Sequence, residues 1–142
     1  MSKYCSSQHI EVMVVDDDKV VAFLHKNCLR SSSLDHPPVV CTNGKEALEY
    51  IRENDHKEKC FLVLLDLNMP VLDGWNFLET IQASPPLANI YVVVVTSSIN
   101  RQDYLKAQNY EQVISFCHKP LTPRCILEIK TFEPLKAFFS AE

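Results

Sequence analysis

The stretch "FLVLLDLNMPVLDGW", residues 61–75, carries the first structural decision. Five apolar residues run straight into Asp66, and Pro70 and Gly74 follow within eight positions. A short apolar run without polar alternation, closed by turn residues, predicts a strand buried on both faces. Four more runs of the same kind lie along the chain: "EVMVV" (11–15), "VVC" (39–41), "IYVVVV" (90–95) and "VISFC" (113–117).

The segments between these runs have helical spacing. Val20, Val21, Leu24 and Cys28 predict the apolar stripe of a first helix, ended by "SSSLDHPP". Asn43-Gly44 leads into a second helix with Ala47, Leu48 and Ile51 on one stripe. A third starts near Trp75, carries Phe77, Leu78 and Ile81, and stops at Pro85-Pro86. Asn100 and Asp103, spaced like a capping pair, open a fourth through Tyr104 and Leu105. Thr122 as N-cap, with Pro123 at the first helical position, opens the fifth. Continuous apolar strands alternating with helices predict an α/β fold, a (βα)₅ doubly wound parallel sheet. Right-handed crossovers favour the flavodoxin-like strand order 2-1-3-4-5.

Bulk properties agree with one globular domain over residues 1–142. With 142 residues and 46% hydrophobic content, the chain can bury about 70% of its unfolded surface. A net charge of −4 gives no footprint for nucleic acid, and no apolar run approaches the length of a membrane helix. Six cysteines without C-x-x-C spacing read as reduced, mostly buried thiols, and a cytoplasmic location is expected. The five histidines lack ligand spacing and read as ordinary surface or interface residues.

In such a sheet, ligands bind beyond the carboxyl ends of the strands, beside the switch point between strands one and three. Asp16 and Asp17 end strand one, Asp66 strand three, Thr96 strand four and Lys119 strand five. Each has an ordinary explanation alone: Asp16, Asp17 and Asp18 as helix caps, Asp66 as a turn residue, Thr96 as a loop cap, Lys119 as a surface charge. On one edge together, the carboxylates repel each other unless a cation joins them. Hard oxygen donors with room for water suit Mg²⁺, and a lysine with a hydroxyl suits phosphoryl oxygens. That combination predicts a metal-assisted phosphoryl site with a carboxylate nucleophile.

The four motifs in register, Asp16-Asp17, Asp66 within "DLNMPVLDG", Thr96-Ser97 and Lys119-Pro120, resemble the receiver domain of two-component response regulators. The resemblance runs from about residue 10 to residue 132, and "TSSIN" and "SFCHKPLT" are similar to stand-alone, single-domain receivers. It implies that Asp66 accepts a phosphoryl group from a phosphohistidine on a sensor histidine kinase or histidine phosphotransfer protein. It implies further that Asp17, Asp66 and the Asn68 carbonyl ligate Mg²⁺ directly, with Asp16 acting through water. Lys119 would pair with the carboxylate and then with the phosphoryl group, Thr96 would move to bond it, and the Ser97 amide would contact another oxygen. Phe116 stands where the family has its switch aromatic; plain core packing explains it equally well. Asn68 and Ser98 stand where the family tunes dephosphorylation, and a cis Lys119–Pro120 peptide is also implied.

No output domain follows in this sequence, so signalling to an unknown downstream protein, or relay of the phosphoryl group, is expected rather than DNA binding or enzymatic turnover. Two other readings stay open. A pseudo-receiver would bind partners without ever being phosphorylated. An aspartate-nucleophile phosphatase would need a second acid two residues after Asp66, where Asn68 stands. Pro134 departs from the family pattern and predicts that the last helix ends or kinks near Phe132. Residues 133–142 form an extension from which Leu135, Phe138 and Phe139 either pack back onto the body or form a partner or dimer patch.

Overall fold

A computed structural model describes residues 10–30, 37–98 and 100–136. The strands are β1 (Ile10–Val15), β2 (Val39–Cys41), β3 (Cys60–Leu65), β4 (Asn89–Thr96) and β5 (Val113–His118). The helices are α1 (Lys19–Arg30), α2 (Gly44–Glu53), α3 (Gly74–Ala83), α4 (Arg101–Ala107) and α5 (Pro123–Thr131), followed by a 3₁₀ turn, Glu133–Leu135. All strand pairs are parallel, in the order β2-β1-β3-β4-β5. Chain order and spatial order differ between β1 and β3, which creates the expected crevice at their carboxyl ends.

The alternation of side chains along each strand divides the interior into two cores. Met13, Val15, Phe61, Val63, Leu65, Val92 and Val94 face α2, α3 and α4 through Ala47, Leu48, Ile51, Phe77, Leu78, Ile81 and Ala107. Val12, Val14, Leu62, Leu64, Val93, Val95 and Cys117 face α1 and α5 through Ala22, Leu29 and Ile129. β3 is buried at all six positions, as its unbroken apolar run requires.

Local capping explains where the helices start. The side chains of Asn43, Asp73, Asn100 and Thr122 accept backbone N–H groups of the first turns of α2, α3, α4 and α5. Asp18 does the same for α1, accepting from Val20 and Val21 at 3.0 and 3.2 Å. The expected Asn100–Asp103 pair is half realised: Asp103 instead receives the Ser98 hydroxyl at 2.6 Å.

The first helix corrects the stripe predicted for it. Its buried residues are Ala22, His25 and Leu29, whereas Val20 and Leu24 are 69% and 52% exposed. His25 is therefore a core residue, not a surface one. The thiols also need one correction. Cys28, Cys41, Cys117 and Cys125 form no disulfide, but Cys60 is disulfide-bonded; Cys5 lies outside the described residues. The last helix ends at Thr131 and gives way to the 3₁₀ turn, in which Leu135 is fully buried against the second core. Phe138 and Phe139 lie outside the described residues.

Candidate functional site

Strand register builds the site. Val15 stands opposite Leu65, so the residues that follow, Asp16 and Asp66, leave the sheet side by side. The ladder continues one step past the strands: the Asp66 amide donates to the Val15 carbonyl and the Asp16 amide to that of Cys41, both at 3.0 Å. On the other side Thr96 pairs with His118, and the Lys119 amide donates to the Thr96 carbonyl at 2.9 Å. Backbone groups thus fix the origin of each side chain before any side-chain contact is made.

The side chains converge as the strand ends direct them. Lys119 Nζ lies 2.7 Å from Asp16 Oδ2 and 3.1 Å from Asp66 Oδ2. Asp16, Asp17 and Asp66 each bring one carboxylate oxygen within 4.8 Å of the others. Asp16 and Asp66 are buried and Asp17 is exposed, so the group opens to solvent on one side. Three hard oxygen donors beside water suit a small divalent cation that keeps part of its hydration shell; no thiol or imidazole competes among them. The donor set fits the ion.

Opposing influences act on the two central groups. Burial pushes the Asp66 carboxyl above the ordinary range; the Lys119 charge opposes this, the Asp16 charge reinforces it, and hydrogen bonds from Lys119 and the Asn68 amide oppose it again. Burial alone would lower Lys119, but its hydrogen bond to Asp16 and its pairing with Asp66 outweigh that and raise it. Pairing thus prevails at the lysine and burial at Asp66. The difference has a geometric cause. Asp66 is the more enclosed side chain, and it shares its one lysine with Asp16.

Two glycines fix the loop after β3. Gly74 donates its amide to the Leu67 carbonyl at 3.0 Å, and Gly44 donates to Leu72 at 2.8 Å. A Cβ at Gly74 would lie 2.5 Å from the Asp66 carbonyl oxygen, and one at Gly44 would lie 2.7 Å from that of Leu72. Both glycines of the chain therefore permit backbone contact with the same loop. Between them Val71 has φ of 69°, a left-handed conformation unusual for a β-branched residue.

The other sequence-derived candidates stand at the margin. Asn68 is exposed, and its amide reaches Asp66 Oδ1 at 3.4 Å. Thr96 is fully buried, and its hydroxyl oxygen accepts the Ser98 amide at 3.3 Å. Ser97 is exposed, and Phe116 is half-buried with its ring edge-to-face against Tyr104 at 5.5 Å. Among the described residues, no hydrogen bond links the Thr96 or Ser97 side chain to the carboxylates. The Lys119–Pro120 bond is cis. Of the three adjacent acids, Asp18 caps α1, while Asp16 and Asp17 join Asp66 in the acidic cluster.

Two residues near the site were not legible as such. Asp103 was readable only as a cap, though it holds Ser98 next to Thr96. His25 carried no signal beyond its position in an apolar helix, yet its Nε2 accepts the Leu121 amide at 3.2 Å.

Comparison with known proteins supplies the context. The response regulator receiver domain family matches residues 12–130. Response regulator Rcp1 of Synechocystis sp. is 33% identical over 97 residues, a match spanning 66% of this chain and 66% of that protein. Chemotaxis protein CheY-3 of Vibrio cholerae serotype O1 is 26% identical over 131 residues, covering 91% of this chain and 96% of that one. Among solved structures, the Mn(2+)-bound form of response regulator Rcp1 superposes with a TM-score of 0.68 at 27% identity, over 87% of this chain and 93% of that one. The described residues contain no helix long and apolar enough to cross a membrane. A parallel five-stranded sheet with acids and a lysine at its carboxyl edge is the setting in which that family match falls, and the chain belongs to the response regulator receiver domain family.

Proposed function

We propose that this receiver is phosphorylated on Asp66 by a phosphohistidine of a sensor histidine kinase or histidine phosphotransfer protein, with Mg²⁺ as the cation. A carboxylate oxygen of Asp66 attacks phosphorus; the P–N bond to the donor imidazole breaks as the new P–O bond forms. The observation that carries this reading is the meeting of Asp16, Asp17, Asp66 and Lys119 within hydrogen-bonding and chelating reach. Asp17, Asp66 and the Asn68 carbonyl would hold the ion, with Asp16 acting through water. When bound, Mg²⁺ supplies positive charge that offsets the charge of the phosphoryl oxygens.

The remaining roles belong to the chain. Lys119, already between two carboxylates, is in reach of an oxygen of a group attached to Asp66. The Thr96 hydroxyl and the Ser97 amide take other phosphoryl oxygens once Thr96 moves inward, and Phe116 is the aromatic that responds. Turnover is limited to self-phosphorylation and loss of the group by hydrolysis. The receiver occupies about residues 10–132 of a single domain spanning 1–142, and a downstream protein reads its state in the cytoplasm. That location rests on the kinase as phosphodonor, not on the state of the thiols.

Incubation with Mg²⁺ and a small acyl phosphate tests the reading. Intact-mass analysis is expected to show one added phosphoryl group on the wild type and none on Asp66→Asn. Absence of an adduct on the wild type, together with failure to bind beryllium fluoride, would favour a pseudo-receiver.

A further inference from the structure

We propose that His25 is a positioning residue for phosphoryl transfer, anchoring from α1 the loop that carries Lys119; this rests on the reading of Asp66 as phosphoacceptor. The loop from Lys119 to Leu121 has few backbone donors, because Pro120 has no N–H. The Lys119 amide is bound to the Thr96 carbonyl at 2.9 Å, which ties the loop to β4. The next available donor is the Leu121 amide, and it goes to His25 Nε2 at 3.2 Å in a buried hydrogen bond between residues 96 positions apart. The loop is therefore held from two sides, by β4 and by α1. Lys119, whose ammonium bridges Asp16 and Asp66, carries the first anchor and lies two residues before the second.

The choice of residue is informative. His25 lies in the core stripe of α1 between Ala22 and Leu29, 3% exposed, where an aliphatic side chain would fill space at no polar cost. An aliphatic residue would leave the Leu121 amide buried without an acceptor. Burial lowers the proton affinity of the imidazole; the Asp16 charge opposes this and the Lys119 charge assists it. That direction favours the neutral ring, whose Nε2 lone pair the bond from the Leu121 amide requires. Because α1 starts directly after Asp17 and Asp18, the same helix connects the acidic end of β1 to the lysine-bearing loop.

Three substitutions separate positioning from bulk. His25→Gln offers an acceptor oxygen at similar reach, whereas His25→Met and His25→Leu fill the space without one. With acetyl phosphate and Mg²⁺, Met or Leu is expected to slow phosphorylation of Asp66 by about tenfold, and Gln to restore the rate to within about twofold of wild type. Because His25 acts through Lys119, adding His25→Met to Lys119→Ala should cost nothing further. A general loss of packing would slow both backgrounds alike. The amide resonance of Leu121 should move in the Met and Leu variants and stay near its wild-type position in Gln. Folded Met and Leu variants that react like wild type overturn the proposal, as does a Gln variant as slow as either or a further loss in the Lys119→Ala background. A wild type that accepts no phosphoryl group overturns this inference and the reading beneath it together; a reactive wild type with indifferent variants overturns this inference alone.

Discussion

Asp66 is the point at which the local physics is most opposed. Burial favours its neutral form, and the lysine it shares with Asp16 does not fully offset that. A carboxyl whose folded pKa lies above its unfolded value holds its proton more readily in the folded state. Its contribution to stability is therefore best at low pH and is lost as pH rises from the ordinary value of 3.8 through the raised folded value. In chelator, Asp66→Asn is expected to melt above the wild type at neutral pH, the difference vanishing below the ordinary aspartate range. Added Mg²⁺ should reverse the order, since an ion bound only by the folded wild type at a hundredfold excess over its Kd stabilises it by about 2.7 kcal/mol. Thermal melts from about pH 3 to about pH 8, with chelator and with Mg²⁺, check both signs. Gly74 makes a second prediction at this scale. Its φ is not positive, so its requirement is steric: a Cβ would meet the Asp66 carbonyl oxygen at 2.5 Å. Gly74→Ala should cost about 1–3 kcal/mol in denaturant unfolding and slow phosphorylation, because the displaced atom belongs to Asp66 itself.

Elements differ in how openly their sequences declared them. The strands were legible because β3 and most of β4 are buried on both faces, which produces apolar runs too short for free helices. The cap of α5 was legible because Thr122 is a short polar side chain directly ahead of Pro123 and an apolar stripe. The site acids were legible because strand ends must face one crevice in this topology. The stripe of α1 was not. Val20, Phe23 and Leu24 are exposed, so the helix is apolar on more than one face, and several periodic stripes fit the same residues. The inward position of His25 deepened the error, since a polar residue there looks like surface. Residues beyond α5 divide in the same way. Pro134 marked the end of the helix through its missing N–H, while the fate of Leu135 depended on packing that only the fold supplies. Leu135 is fully buried against the α1 and α5 core. Leu135→Ala is expected to cost about 2–5 kcal/mol, the range for removing a buried leucine side chain, measured by chemical denaturation. A loss near zero would mean that this turn is not part of the folded body.

Across the whole molecule, a connected set of contacts leads from the acidic crevice to the face made by α4, β5 and α5. The Thr96 hydroxyl oxygen accepts the Ser98 amide, the Ser98 hydroxyl donates to Asp103 on α4, and Tyr104 on the same helix meets Phe116 of β5 edge-to-face. A cavity of about 350 Å³ bordered by Tyr104, Gln108, Val113, Phe116 and Glu128 leaves these rings room to move. A phosphoryl group on Asp66 can shift this set only through contacts that differ between its two arrangements. On the proposed role of Thr96, turning it inward would give up its bond with Ser98, about 0.5–1.5 kcal/mol, and gain a bond to a charged group, about 1.5–3 kcal/mol. The surplus is about 0–2.5 kcal/mol, well short of the roughly 5.5 kcal/mol needed to carry an equilibrium from 1:99 to 99:1. The expected response is therefore a partial shift. With beryllium fluoride as phosphoryl mimic, nuclear magnetic resonance signals of Ser98, Asp103, Tyr104 and Phe116 should move to population-averaged positions between two limits. Asp103→Ala, which removes the acceptor holding Ser98, should carry the Ser98, Tyr104 and Phe116 signals further toward the active limit at equal beryllium fluoride. Changes confined to the neighbours of Asp66, with residues 98–118 unmoved, would disconnect the crevice from that face while leaving the phosphoryl chemistry intact.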